Sequence, residues 1–480
     1  MQRRTFLTGS LLGTAFATVP ITALTTTAAS AATVTVGSIA DLQREIDRAA
    51  PGDRIVLANG AYDVPAGGIR ITGRHGVGAH ITIVSQSRGG AVLQGDQSFV
   101  LRDSTGITIS GFAFRQRDTL VIPADCSDIR LTRNDFKHAD IADVHWVVVK
   151  GNAVKIDRNY FHDRSTQGVF LVADGPDGPV DPERKTMAKK LTVLRNHFAR
   201  HTYPGDNGGE SIRLGTSHRA LDHAEATVEY NLFEQCNGDP EAISVKSSKN
   251  IIRHNTLRDC AGGIVLRHGN ETLVHGNHLV GGVVGIRLYG NDHRVFNNHL
   301  AKLSDRALVI GSGSVRDHVA GEPPTQQRGN DACDRALITH NTLVRNARTI
   351  VGENRAHEPR DVVLSNNILV ADSGSLVALG QNTGFTWQSN LLWGGASDGT
   401  IPSGGFVRAD PRLQEGADGV FRLASNSPAI GAAVPTNPAV TDDLDGHPRG
   451  GSRDIGSDEY TTAAPLRSPL TPADVGPNAA

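Results

Sequence analysis

The sequence predicts an all-β chain wound as one right-handed parallel β-helix, with a capping helix at its N-terminal end. Three observations predict it. A short pattern, Asn-x-Phe or Asn-x-Leu, returns through most of the chain at a nearly fixed interval. The residues between repeats form β-rich runs too short for helices, such as Ile251-Ile252-Arg253 and Gly263-Ile264-Val265-Leu266. The composition holds 53 glycines against two methionines and 5% aromatics, which suits many short strands and tight turns.

Taken in chain order, the first element is an export signal over residues 1–31. Arg3-Arg4 precede Thr5-Phe6-Leu7 in a twin-arginine-like pattern, an apolar stretch runs from Leu11 to about Leu24, and Ala29-Ser30-Ala31 offers a small-residue cleavage site. Two arginines also occur in ordinary secretory signals; either reading makes the protein secreted. Ser38 to Ala50 then reads as an amphipathic helix, with Ile39, Leu42, Ile46 and Ala49 on one face and Ser38 with Asp41 as a capping-box-like start. Such a helix covers the open end of the first coil. Pro51-Gly52-Asp53 ends it, and Arg54-Ile55-Val56-Leu57 begins the first strand.

The repeat asparagines are Asn134, Asn159, Asn196, Asn231, Asn255, Asn277, Asn298, Asn341, Asn367 and Asn390. Their spacing is 21 to 26 residues, enlarged to 37, 35 and 43 where insertions fall. A period in this range marks a solenoid. Leucine-rich repeats would need more leucine in a stricter frame. In a parallel β-helix the Asn suits a turn, where it tolerates a left-handed backbone and bonds the next coil's Asn, while the Phe or Leu two residues on points inward. The insertions span about Asp174 to Lys190, Thr202 to Ala226 and Leu303 to Arg335; long loops on one side of a solenoid often build its binding face. The helix domain is expected over residues 32–460. Ser427 to Gly431 and Arg453 to Glu459 read as closing segments, and residues 461–480, rich in Pro and Ala, are expected to lack fixed structure.

A net charge of −2 gives no global attraction for nucleic acid or an anionic membrane, so recognition of an anion must be local. Cys126, Cys236, Cys260 and Cys333 form no C-x-x-C pair. Cys236 and Cys260 each follow a repeat asparagine by five residues, which places them on neighbouring coils and within reach of a disulfide.

The richest chemistry lies in three segments: Asn207-Gly208-Gly209-Glu210-Ser211-Ile212-Arg213, Asn237-Gly238-Asp239-Pro240-Glu241 through Lys246, and Gly262-Gly263 through Arg267-His268. In order and spacing they resemble polysaccharide lyase family 6, the alginate lyases and chondroitinase B: Asn207 precedes Glu241 by 34 residues, Glu241 precedes Lys246 by five, and Lys246 precedes Arg267 by 21. The resemblance implies a pectate-lyase-like solenoid that cleaves an acidic polysaccharide by β-elimination. It implies Ca²⁺ held by Asn207, Asp239 and Glu241, Lys246 as the base that removes H5 of a uronate, and Arg267 as the acid at the leaving O4. Many members carry Glu where this chain has Asp239. The expected substrate is alginate, with dermatan sulfate second. Arg213, His268, Arg287 and Tyr289 are candidate substrate contacts. Glu210 either orients a site residue or simply lies on its loop.

The residue types suit that chemistry. Removing a proton beside a carboxylate builds negative charge on it, which a hard cation or arginines stabilise. Strand alternation gives two outward rows, Lys246–Arg267–Tyr289 and Arg213–Ser244–Val265–Arg287. The same parity puts Glu241 on the opposite side from Lys246, so a corner or bulge near Pro240 to Ala242 is required. Two rivals stand beside the lyase. A glycoside hydrolase needs two carboxylic acids, which Asp239 and Glu241 could supply, but leaves Lys246 and Arg267 without a role. A noncatalytic glycan-binding β-helix is the other.

Overall fold

The computed structural model describes residues 31–177, 187–380, 382–435 and 440–480. The export-signal reading falls outside them, apart from Ala31. Chain order and hydrogen bonding give three long parallel sheets. The first has 14 strands, from Thr33–Val36 and Arg54–Leu57 to Thr386–Gln388. The second has 11, from Leu120–Ile122 to Ser397–Gly399, and the third has 14, from Gly60–Asp63 to Phe406–Arg408. The first coils place Ile69–Thr72 and Phe99–Arg102 in a separate parallel pair, and from Leu120 on the coils give strands to the three sheets in turn, so the chain is a right-handed parallel β-helix. The sheet starts one strand earlier than expected, because Thr33–Val36 pairs with Arg54–Leu57.

The helix runs Ile39–Arg48, and the Ser38 hydroxyl accepts from the Asp41 backbone N–H while donating to its carboxylate. Leu42 and Ile46 sink into the main core. Each contributes roughly 1.5–3 kcal/mol by leaving water. No helix among the described residues is long and apolar enough to cross a membrane.

Inside, Phe114, Phe136, Phe161, Phe198 and Phe233 stack with ring centroids 4.7, 4.5, 5.0 and 4.9 Å apart, and leucines continue the column from Leu257. Beside it runs the asparagine ladder. From Asn159 on, each Oδ1 accepts both the backbone N–H and the Nδ2 of the asparagine one coil earlier, as from Asn231 to Asn255 at 3.0 Å each. Each Nδ2 also reaches a carbonyl within a first-sheet strand, as from Asn255 to Val228 at 2.9 Å. The left-handed backbone does not belong to these asparagines, however. It belongs to the residue before each one: Arg133, Arg158, Arg195, Tyr230, His254, Gly276, Asn297, His340, Asn366 and Ser389, all with φ between 49° and 64°. That residue makes the turn, which leaves the asparagine extended and its amide aimed along the stack.

Two further expectations change. Cys236 and Cys260 are neighbours, with the Cys236 N–H 3.4 Å from the Cys260 sulfur, but both thiols are free. Stacked residues of parallel strands point their Cβ atoms the same way, about 4.8 Å apart, whereas a disulfide brings Cβ atoms to about 3.8 Å. The closing segments do not cap the last coil. They lie on the outer face of the third sheet, where Ala429 and Ile455 pack on Ile368 and Leu391, and Phe421 packs on Ala301 and Val344. Residues 461–480 are ordered and continue this path toward the N-terminal coils. Leu470 and Val475 cover Leu232, the Leu470 N–H donates to Thr256 Oγ1, and Arg133 and Arg158 donate to the Pro477 and Ala480 carbonyls.

Candidate active site

The second sheet builds the site. Ile212, Leu214, Ile243, Val245, Ile264, Leu266, Ile286 and Leu288 fill the interior from four successive strands, Ile212–Gly215, Glu241–Lys246, Gly263–His268 and Val284–Leu288. Their alternate residues face outward. Arg213, Ser244, Val265 and Arg287 stand in register as one row, as alternation requires.

The other row is broken. Lys246 pairs with His268, because the register slips between Val245 and Lys246 and leaves Arg267 as an extra, bulged residue. A bulge bends its strand and re-aims the side chain it releases. Arg267 leans toward the preceding coil, its Nη1 lying 3.9 Å from Glu241 Oε1. A second slip, between Glu241 and Ile243, makes Ala242 the extra residue of its own strand. This is the corner needed near Pro240 to Ala242, and it turns Glu241 to the face that carries Lys246. Tyr289 leaves the row altogether: it is fully buried, and its hydroxyl donates to Glu353 Oε2 at 2.6 Å.

A cavity of about 370 Å³ results. Asn207, Asp239, Glu241, Lys246, Arg267, His268 and Arg287 line it, together with Asp206, Ser217, Pro240 and Arg328, which the sequence did not single out. Arg213 and Tyr289 do not. Arg213 Nη2 instead lies 3.1 Å from His145 Nε2. Burial, with Arg213 beside it, pulls the His145 pKa down to about 4. His268 is also buried; burial first, then Arg267, His318 and Lys246, lowers its pKa to about 3, so it meets a ligand as neutral imidazole.

Glu210, left open by the sequence, sits at the base of the site. It is 2% exposed; Oε1 lies 3.4 Å from Lys246 Nζ, and Oε2 is buried with no hydrogen-bond partner. Asp239 accepts the Gly208 and Glu241 backbone N–H groups at 2.8 and 2.9 Å. Burial, followed by repulsion from Glu210 and Glu241, raises its pKa to about 7. Glu241 Oε2 accepts from Ser244 Oγ at 2.5 Å. Among the described residues no three acidic, His or Cys side chains are gathered closely enough to hold an ion as they stand. The donor chemistry nevertheless fits a hard divalent cation: carboxylates that repel one another, an unpartnered buried oxygen, and the Asn207 amide on the same wall.

The sequence profile described as Chondroitinase B matches residues 36–379. No curated protein matches the chain. Among solved structures, the PL6 family alginate lyase AlyGC is 24% identical with a TM-score of 0.69 over 91% of this chain and 59% of that one. A mannuronic acid specific family 6 lyase from human gut microbiota is 23% identical, with a TM-score of 0.64 over 75% of this chain and 85% of that one. The PL6 family polysaccharide lyase Pedsa3628 from Pseudopedobacter saltans is 19% identical, with a TM-score of 0.63 over 89% and 99%. These likenesses carry the fold. The chain spans about 59% of the length of AlyGC.

Proposed function

The chain belongs to the chondroitinase B family, polysaccharide lyase family 6, and from that premise we propose that it is a secreted enzyme that cleaves alginate by β-elimination. One observation carries the reading: coils from Asn207 to Arg287 bring a lysine, two arginines, a neutral histidine and a set of hard oxygen donors to one cavity. Solved structures similar to this chain include alginate lyases, which supports testing alginate first and dermatan sulfate second.

Lys246 takes H5 of the uronate whose O4 linkage breaks. Its Nζ is the amine nearest the buried Glu210 carboxylate, which fixes the end of an otherwise free four-carbon arm. Arg267, re-aimed by its bulge, faces the same space and assists departure of O4. A guanidinium holds its proton above pH ~12, so its part is to stabilise charge on the leaving oxygen more than to surrender a proton. His268 and Arg287 hold the sugar on the far side of Lys246. Asn207, Asp239 and Glu241 would hold Ca²⁺, which when bound neutralises the charge gathering on the uronate carboxylate.

The hydrolase reading is weaker. It takes Asp239 and Glu241 as its acid pair and leaves Lys246 and Arg267, which line the same cavity, without a role. The test is a panel of acidic polysaccharides read by absorbance of the unsaturated product. Alginate should yield products with a C4–C5 double bond at the new nonreducing end. Saturated products would establish hydrolysis, and strong cleavage of dermatan sulfate alone would reverse the substrate order. Binding without turnover would leave a glycan-binding β-helix.

A further inference from the structure

Arg287 reaches the cavity from the coil after Arg267, and three residues outside the cavity hold it there. Tyr289 lies two residues on. Register carries its position to Gly311 on the next coil and to Glu353 on the coil after that, since Leu288 pairs with Ile310 and Ile310 with Gly352. Positions two coils apart are separated by about 9.6 Å, too far for ordinary side chains to meet across an intervening residue. Here the intervening residue is glycine. A Cβ on Gly311 would stand 2.4 Å from Cδ1 and Cε1 of the Tyr289 ring, so only glycine lets the ring lie along the stack. The phenol then crosses the whole intervening coil and donates to Glu353 Oε2 at 2.6 Å.

Glu353 gathers the rest. Its Oε1 accepts from Arg287 Nη2, and Oε2 lies 3.6 Å from Arg355 Nε. Both guanidiniums rest on the Tyr289 ring, Arg287 at 4.9 Å and Arg355 at 5.3 Å from its centroid. Arg355 also donates to the phenol oxygen at 3.2 Å. One carboxylate against two guanidiniums leaves one positive charge over, at the edge of the cavity, with Arg287 braced on its ring face and at one terminal nitrogen.

Resting on the lyase reading, we propose that Glu353 is a positioning residue of the cleft, which together with Tyr289 and Gly311 fixes Arg287 as the contact for the carboxylate of the uronate next to the scissile one. Glu353 does not line the cavity, so it acts through Arg287. Without it the guanidinium swings free, and the cleft loses its grip on that carboxylate while Lys246 and Arg267 are untouched.

The test is steady-state kinetics on the polymer that the intact enzyme cleaves, with a melting curve for each variant. Glu353→Ala and Arg287→Ala should each raise KM roughly tenfold with kcat changed little, the sign of lost substrate binding. The double variant should be no worse than Arg287→Ala alone, because the first residue acts only through the second. Gly311→Ala, which removes no charge, should raise KM in the same way, and Glu353→Gln, which keeps an acceptor for the phenol, should recover part of the loss. An unchanged KM in Glu353→Ala, or a double variant whose KM effect is the product of the two single ones, overturns the proposal while the lyase reading stands. If Glu353→Ala does not fold, Gly311→Ala and Glu353→Gln decide by the same criterion. A wild-type enzyme that releases no unsaturated product from any uronate polymer overturns both.

Discussion

Lys246 and Arg267 reach the cavity by different routes, and their substitution should separate chemistry from folding. Lys246→Ala and Arg267→Ala should each lower turnover by about 10²-fold or more with the fold intact; Lys246→Ala should also lower the melting temperature, because it strips the buried Glu210 carboxylate of its cation. Near-normal turnover in Lys246→Ala would remove the proposed base. The oxygen donors predict a second result at this scale: exhaustive chelation should lower activity and added calcium restore it, and full activity after chelation would leave the arginines to neutralise the uronate unaided. The spacing of Asn207, Asp239, Glu241, Lys246 and Arg267 made this wall legible in the sequence. The bulge at Arg267 was not, because neither glycine nor proline marks it and strict alternation predicts Lys246 opposite Arg267. Glu353 was also hidden, since its partner Tyr289 lies 64 residues earlier, across an inserted coil.

Among the elements, the asparagine ladder shows where pattern reading succeeds and where it stops. The period exposed the ladder because one residue type recurs on it. The left-handed position just before it carries no such signal, because arginine, tyrosine, histidine, asparagine, serine and glycine all occupy it. Tertiary pairing on both sides imposes that turn, whatever the residue prefers. Asn255 is buried and takes part in bonds to Asn231, Val228 and Asn277. Asn255→Ala should therefore orphan the buried Asn231 N–H at about 1–3 kcal/mol, against a fraction of that for an exposed asparagine. Denaturant unfolding of the two kinds of variant would measure the difference, and equal losses would show that the ladder adds nothing beyond turn geometry.

For the molecule as a whole, the C-terminal segment, described over 409–435 and 440–480, is the feature that composition concealed. Its Pro- and Ala-rich end looked unstructured because its partners lie in coils hundreds of residues away. It roofs a row of histidines. His278 and His299 lie beneath it with Arg422 and Asp418 facing both, and Glu415 and Lys302 near His299. His254 and His275 meet Arg467 and Arg253, with Asp442 near His275, and His340 meets Arg449 and Arg453. Burial first, then these cations, lowers the pKa values to about 3 for His278, 4 for His299 and His275, and 2 for His254 and His340. A depressed histidine pKa means that the released state binds protons the docked state refuses. Docking is therefore fully stable above the ordinary value of about 6.5 and weakens as pH falls below it, by up to ~1.4 kcal/mol per pH unit for each histidine uncovered. Hydrogen exchange at pH 7 and pH 4.5 should show residues 409–480 losing protection before the three sheets do. Uniform loss across the molecule would contradict this.

The same segment sets an order on how the protein acquires its shape. Coil contacts run almost entirely between neighbours, so the coils can form one after another as the chain lengthens. The bonds from Arg133 to Pro477 and from Arg158 to Ala480 span 344 and 322 residues, so they close only after every coil between them exists. Contacts of such sequence separation are slow to form. Refolding should thus show a late phase, seen as burial of Tyr230 and Leu232, after the stacked strands have already gained their circular dichroism.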